Sequence, residues 1–214
     1  MALRRAGFLD PSRFPFVALL EAARPAVVAD LAELPLAAFE RWILSDAYRG
    51  DWRVFGIWHG RDDYVLRRHL DRNARLCPRT RAIVPRIRGL LAAGVSWLAP
   101  GSHILPHVDE QVVPSLRCHL TLDADPGVRM RVGDEVRRFD PGSCLLFDSG
   151  DEHEVVHEGT RPRVSLIVEV ERAQAGLPPL AAAPSPSSAS ASLETSSDFP
   201  KSLRAPRDST RWGK

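Results

Sequence analysis

A mainly β fold with helices in front of it is what this sequence predicts. Seven short apolar segments with a period of two follow one another after residue 95, while helical periodicity is confined to the stretch before it. Turn residues at close spacing between the apolar segments leave no room for crossover helices, so the strands pair antiparallel, as a sandwich or barrel of which the double-sheet jelly roll and the cupin are one type. The chain has 214 residues, the size of one domain with trimmings.

Residues 16–23, 36–44 and 80–91 carry apolar side chains at three- and four-residue steps and are expected as helices, the last kinked or opened by Pro85 and stopped by Gly94. Between the second and third, residues 51–58 alternate and are expected as one strand. Strands are then expected at 95–98, 116–122, 128–132, 135–139, 144–147, 152–156 and 164–170, with Gly133-Asp134 as a two-residue hairpin loop. The helices would cover one outer face. The resulting division is 1–94 as a helical part packed on the core within the same domain, 95–172 as the strand-rich core, and 173–214 as a disordered tail. That tail is rich in Ala, Ser and Pro and has too few large apolar residues to offset its ordering entropy.

Composition excludes several classes. Hydrophobic residues at 44% and charged residues at 26% are those of a globular chain. No run of about 18 uncharged apolar residues occurs, and the first residues lead into Pro11 and Pro15 rather than an apolar leader, so neither a membrane span nor secretion is expected. Cys77, Cys118 and Cys144 are sparse, odd in number and without CxxC spacing, which suits a reducing compartment; the expected location is cytoplasmic. The tail holds five basic and three acidic residues of a chain whose net charge is +2, leaving the first 172 residues balanced and giving no support to nucleic-acid binding. No oligomeric state is assigned.

Five of the seven histidines, His103, His107, His119, His153 and His157, lie in the strand-rich half. In His107-Val108-Asp109, two residues one apart on a strand project to the same face and can grip one ion together. With His153 they make two imidazoles and one carboxylate, which suits non-haem Fe(II) oxygen chemistry. A lone His-x-Asp is common, and Arg163 is what gives the pattern weight. It opens an apolar strand ten residues after His153, where an inward guanidinium needs an anion, and a dicarboxylate co-substrate supplies one.

The sequence resembles the catalytic domain of the aspartyl/asparaginyl β-hydroxylase family, within the Fe(II)- and 2-oxoglutarate-dependent dioxygenases. The resemblance rests on Asp51-Trp52-Arg53-Val54-Phe55, Cys77-Pro78-Arg79-Thr80, the stretch from Ser96-Trp97-Leu98 through His103 to Pro106-His107, Arg117-Cys118-His119-Leu120, the block from Leu146-Phe147-Asp148 to His153-Glu154-Val155, and Arg163. It implies a double-stranded β-helix core, iron bound by His107 and His153, the far carboxylate of 2-oxoglutarate held by Arg163 and Ser96, and Arg117 and His119 near the carboxylate that chelates the metal. Well-known animal members have glycine two residues after the first iron histidine, where this chain has Asp109, which completes a triad.

His103 and Trp52 are expected behind the ligands or against substrate, His157 at the rim, and Cys118 and Cys144 as small buried apolar residues. The implied activity is O2-dependent hydroxylation of an unactivated C–H bond in an amino-acid, peptidyl or carrier-bound substrate. The alternatives are a cupin-like module that binds metal and a small ligand without turnover, and a metal-dependent isomerase. Neither needs a carboxylate anchor at Arg163.

Overall fold

In the computed structural model of the chain, residues 6–60, 67–109 and 113–175 are described, save the side chains of residues 67 and 68. The elements in order are α1 (Pro15–Leu31), β1 (Glu40–Arg41), β2 (Tyr48–Arg49), β3 (Trp52–His59), α2 (Arg67–Leu76), α3 (Pro78–Ile83), β4 (Leu90–Leu98), β5 (His103–His107), β6 (Ser115–Asp123), β7 (Val128–Val132), β8 (Glu135–Arg138), β9 (Cys144–Asp148), β10 (His153–His157) and β11 (Arg163–Glu171). The strands form two antiparallel sheets, β1-β3-β4-β11-β6-β9 and β2-β5-β10-β7-β8. This is the double-stranded β-helix, the jelly roll expected from the strand pattern.

The six-stranded sheet has two unlike faces, and the alternation of its strands explains both. One face presents Phe55, Val95, Leu116, Cys118, Leu120, Leu146, Leu166 and Val168, which pack with Val17, Leu20 and Val27 of α1 in one apolar cluster. The helices thus cover a single outer face. The other face looks toward the second sheet, whose Ile104, Val128, Met130, Val132 and Val155 close the interior at one side with Leu98 and Phe147. Asp30, buried near the end of α1, accepts hydrogen bonds from Thr80 N (2.7 Å) and Thr80 Oγ1 (2.8 Å) and pairs with Arg79 (3.1 Å). It satisfies first-turn donors of α3, so the two helices are locked together through a helix N-terminus.

Three expectations change. Residues 36–44 are not a helix: a 3-10 turn at Leu36–Ala38 runs into β1, because Phe39 packs on Phe55 (5.3 Å between ring centroids), Trp42 on Trp52 (4.9 Å), and Trp42 N–H reaches Trp52 O (2.9 Å). Pairing on the sheet edge overrides a helical period in a stretch rich in aromatics. The third helix ends at Ile83, Pro85 lies in a 3-10 turn, Gly89 takes a positive φ of 72°, and Leu90 already belongs to β4. Gly94 stops nothing; it lies inside β4, where a Cβ would stand 3.1 Å from Phe55 O and 3.3 Å from Gly56 Cα on the neighbouring strand.

The expected division at residue 94 falls inside β4, and β3 pairs along β4, so the first 94 residues supply strands as well as helices. Helix α2, rich in charge and poor in apolar residues, was not expected at all. The Gly133-Asp134 loop does join β7 to β8, with Gly133 at a φ of 55°. Residues 173–175 continue in a turn after β11, where Arg88 Nε donates to Gln174 Oε1 (3.1 Å); the rest of the expected tail lies outside the described residues. No helix among the described residues is long and apolar enough to cross a membrane.

Candidate metal centre and anion pocket

His107 reaches the interior through a bulge. On β10, His153 stands opposite His107 and Val155 opposite Ile104, so β5 uses three steps where β10 uses two. The extra residue includes the turn of chain at Pro106, which has no N–H to give to the ladder. The consequence is that Ile104 and His107 both face inward. His103, paired with Val156 on the far side of that bulge, faces outward.

Strand β5 ends at His107, so strand alternation does not place Asp109. Its backbone N–H donates to Ser149 O (3.2 Å) in the turn between β9 and β10. That bond brings the Asp109 carboxylate 3.9 Å from His107 Nε2 and 3.6 Å from His153 Nε2. The donor atoms of the three residues lie within 4.8 Å of one another, close enough to share one ion. His107 Nδ1 is 2.7 Å from Leu105 O and His153 Nδ1 is 2.9 Å from Asp151 O. A carbonyl only accepts, so each Nδ1 carries a proton and each Nε2 is turned toward Asp109. Burial pushes the His153 pKa down to about 4 against the pull of Asp109, which keeps that ring neutral. The cluster fits a divalent metal: two imidazoles whose Nε2 atoms face one carboxylate.

Deeper in, the inner face of the six-stranded sheet is polar. Arg117, His119 and Thr121 of β6 stand opposite Glu169, Ile167 and Ser165 of β11, and Ser165 stands opposite Ser96 of β4. Arg163 has no exposed surface, and Nε, Nη1 and Nη2 all lack a hydrogen-bond partner among the described residues. Its guanidinium carbon lies 5.2 Å from the centroid of the Phe139 ring. Burial lowers its pKa to about 9, which leaves it charged at neutral pH. Both ring nitrogens of His119, Thr121 Oγ1 and Ser165 Oγ are likewise buried and unpartnered. Burial first, then the charges of Arg163 and Arg117, hold His119 well below the ordinary imidazole range. An orphaned buried cation costs several kcal/mol, and this one is surrounded by hydroxyls and an imidazole that also want partners.

The remaining candidates take distinct places. Trp52 Nε1 donates to Ser96 Oγ (2.9 Å), so Trp52 backs the pocket through Ser96 and leaves the serine proton free. Arg117 is engaged, with Nη1 2.7 Å from Asp109 Oδ2 and Nη2 3.3 Å from Glu169 Oε2. His103 does not join the ligands: its Nε2 lies 2.8 Å from Glu154 Oε2 on the outside of the sheet, against the expectation that it stands behind the site. His157 is structural, donating from Nε2 to Arg161 O (2.9 Å) and accepting at Nδ1 from Gly159 N (3.2 Å). All three cysteines are buried and free, and Asp148 of the quoted block is taken by a buried ion pair with Arg172.

Thr121, Ser165 and Glu169 were missed. The alternation that joins Arg117 to His119 extends to Thr121, and that of Arg163 extends to Ser165 and Glu169, so the signal was present two and six residues on.

A jelly roll whose interior holds a His, Asp, His cluster and a buried unpartnered arginine is a double-stranded β-helix with a candidate metal centre and a candidate anion site. Residues 25–173 match the model of the aspartyl/asparaginyl β-hydroxylase family, and the chain belongs to that family. Aspartate β-hydroxylase domain-containing protein 2 of Mus musculus is 31% identical over 163 residues, covering 72% of this chain and 47% of that protein. An ornithine lipid ester-linked acyl 2-hydroxylase of Rhizobium tropici is 28% identical over 165 residues, covering 75% of this chain and 58% of the relative. The chain therefore spans about half the length of the curated relatives it matches. Among solved structures, an oxidoreductase of the 2OG-Fe(II) oxygenase family from Burkholderia pseudomallei superposes with a TM-score of 0.51 at 17% identity, over 80% of this chain and 96% of that one, and shares the fold.

Proposed function

We propose that the protein is an Fe(II)- and 2-oxoglutarate-dependent dioxygenase that hydroxylates an unactivated C–H bond, with an aspartyl, asparaginyl or other amino-acid or peptidyl group as substrate. The observation that carries this reading is Arg163, a fully buried guanidinium with no counter-ion among the described residues, on the inner face that looks toward the sheet of His107 and His153. A metal-binding module or isomerase on this scaffold has no use for it. A keto acid with a second carboxylate does, because the fork of a guanidinium pairs a carboxylate in two bonds. Ser96, Ser165 and Thr121 offer hydroxyls around that anchor.

Charge supports the same ligands. Asp109 and Glu169 balance Arg117 and Arg163, so the described ionic groups of the cavity sum to zero. A divalent cation and a dianion would enter as a neutral pair. His107, Asp109 and His153 would hold the iron. When bound, iron supplies the redox chemistry in which O2 and 2-oxoglutarate become succinate and carbon dioxide while the substrate gains a hydroxyl. What the chain itself contributes is imidazoles oriented by Leu105 O and Asp151 O, an anchor for the co-substrate at Arg163, and apolar walls from Leu98, Met130 and Phe147.

The family name favours an amino-acid side chain, and the name of the Rhizobium relative keeps a lipid-linked or carrier-bound acyl group in range. A cytoplasmic location is part of the proposal and rests on the three buried thiols. The test is anaerobic protein titrated with Fe(II) and then 2-oxoglutarate. Chelation of the metal by the keto acid gives a visible charge-transfer band; folded, iron-loaded protein that develops none overturns the oxygenase reading in favour of a binding module.

A further inference from the structure

Arg117 has two of its three nitrogens committed. Nη1 pairs with Asp109 Oδ2 at 2.7 Å and Nη2 with Glu169 Oε2 at 3.3 Å, while buried Nε has no partner. Glu169 is itself fixed, because Ser115 Oγ lies 2.6 Å from its Oε1 and a carboxylate only accepts. Ser115 spends its one proton there, so Ser149 Oγ donates to Ser115 Oγ at 2.6 Å. Ser149 is also the residue whose carbonyl receives the Asp109 N–H. Both ends of Asp109, backbone and carboxylate, are thus tied to one chain of contacts running Ser149, Ser115, Glu169, Arg117.

We propose that Arg117 is a positioning residue for Asp109, and that Glu169 and Ser115 hold it in that role. The inference rests on the metal site of the proposed function. It departs from what resemblance implies for Arg117, which is contact with the co-substrate. A carboxylate that ligates a metal needs its second oxygen held if its orientation is to be fixed, and outer partners of ligands typically control metal affinity by about 10- to 100-fold. The positive charge of Arg117 opposes a cation nearby, but Glu169 neutralises it at 3.3 Å, so orientation is what remains.

The sign can be isolated by removing both charges together. Arg117→Met with Glu169→Gln leaves the net charge of the cavity unchanged and deletes the clamp. Mn(II) affinity is read by electron paramagnetic resonance of the free ion, with no co-substrate present. In the Asp109 background the pair is expected to weaken Mn(II) binding by about tenfold or more. In an Asp109→Gly background the same pair is expected to change it by less than about twofold, because the group it positions is gone. Arg117→Gln with Glu169→Gln, which stays polar but puts at 117 a side chain too short to restore the contact with Asp109, carries the same test if the first pair fails to fold. Unchanged or tighter Mn(II) binding in the Asp109 background overturns the inference, as does an equal loss in both backgrounds. Wild-type protein that binds no Mn(II) overturns it together with the proposed function; the other failures leave that function standing.

Discussion

The two ends of the interior treat charge in opposite ways. At the mouth, Asp109 is met by Arg117, Arg117 by Glu169 and Glu169 by Ser115, and the two histidines direct their Nδ1 protons to backbone carbonyls. Deeper in, Arg163, His119, Thr121 and Ser165 bury polar atoms that find no hydrogen-bond partner among the described residues. Arg117 and Glu169 of the mouth share the inner face of the six-stranded sheet with the orphaned groups, while His107 and His153 face them from the second sheet. A fold retains groups that cost it stability where a ligand satisfies them, so the partnered end is built to hold a shape and the orphaned end to receive a molecule.

The largest effects are expected at the mouth. His107→Ala and His153→Ala each remove a nitrogen donor whose ring is already oriented, and both are expected to abolish 2-oxoglutarate decarboxylation. Asp109→Gly removes the carboxylate but leaves both imidazoles, so iron affinity is expected to fall by about 10- to 100-fold or more, with turnover persisting at saturating iron. Succinate formation measured against iron concentration ranks the three. Wild-type iron affinity in Asp109→Gly would make Asp109 only the partner of Arg117, and full activity in either histidine variant would remove the site.

At the orphaned end the expected loss is in co-substrate binding. Arg163→Met truncates one partner of a desolvated charge pair, which costs about 2–5 kcal/mol, while metal affinity stays near wild type. A pH signature accompanies it. Burial lowers the Arg163 pKa to about 9, so above that pH the free protein loses the proton that binding requires. Apparent affinity for 2-oxoglutarate is expected to weaken toward about tenfold per pH unit beyond it, and Arg163→Met to show no such slope. Titration of both proteins with the co-substrate from pH 7 to roughly 10 checks it; parallel profiles would place the arginine outside the pocket.

The two ends also differ in how legible they were. His107, Asp109 and His153 could be read because ligand types are rare and their spacing is informative, and Arg163 because a cation at the head of an apolar strand is anomalous. Seven of the eight strands from β4 onward followed from period and turns; β5, which carries His107, did not. What stayed hidden depends on pairings between distant residues. The bulge at Pro106 that separates the facing of His103 from that of His107 appears only when β5 meets β10, and the bond from Asp109 to Ser149 joins two loops. Glu169 was not singled out in the sequence, and its place beside Arg117 appears only when β11 is laid beside β6. Phe39 and Trp42 satisfied a helical period, and only the waiting edge of β3 draws Glu40–Arg41 between them into a strand.

Ser96 comes next in size of effect, below both ends. Ser96 Oγ accepts from Trp52 Nε1 at 2.9 Å, so its own proton is free for a carboxylate. Ser96→Ala deletes one hydrogen bond to the co-substrate, expected at about 1 kcal/mol, and leaves the indole N–H of Trp52 without an acceptor. A lowered affinity for 2-oxoglutarate together with a shift in Trp52 fluorescence is the expected pair of readouts. An affinity equal to that of wild type would confine Ser96 to supporting Trp52.

The smallest effect is expected at His103, and it tests the comparison from outside. By spacing alone it pairs with His107 as a second histidine four residues away, yet the bulge turns it to the opposite surface of the sheet, where Nε2 meets Glu154 at 2.8 Å and the other Glu154 oxygen meets Arg131. That contact is partly solvated, and pairs of this kind contribute about 0–1 kcal/mol. His103→Ala is therefore expected to lower stability by less than about 1 kcal/mol and to leave metal and co-substrate affinities within about twofold of wild type. Chemical denaturation and the same Mn(II) and 2-oxoglutarate titrations measure all three. A tenfold loss of metal affinity would mean that His103 reaches the interior in solution, and that the bulge at Pro106 does not hold the register that separates the two histidines.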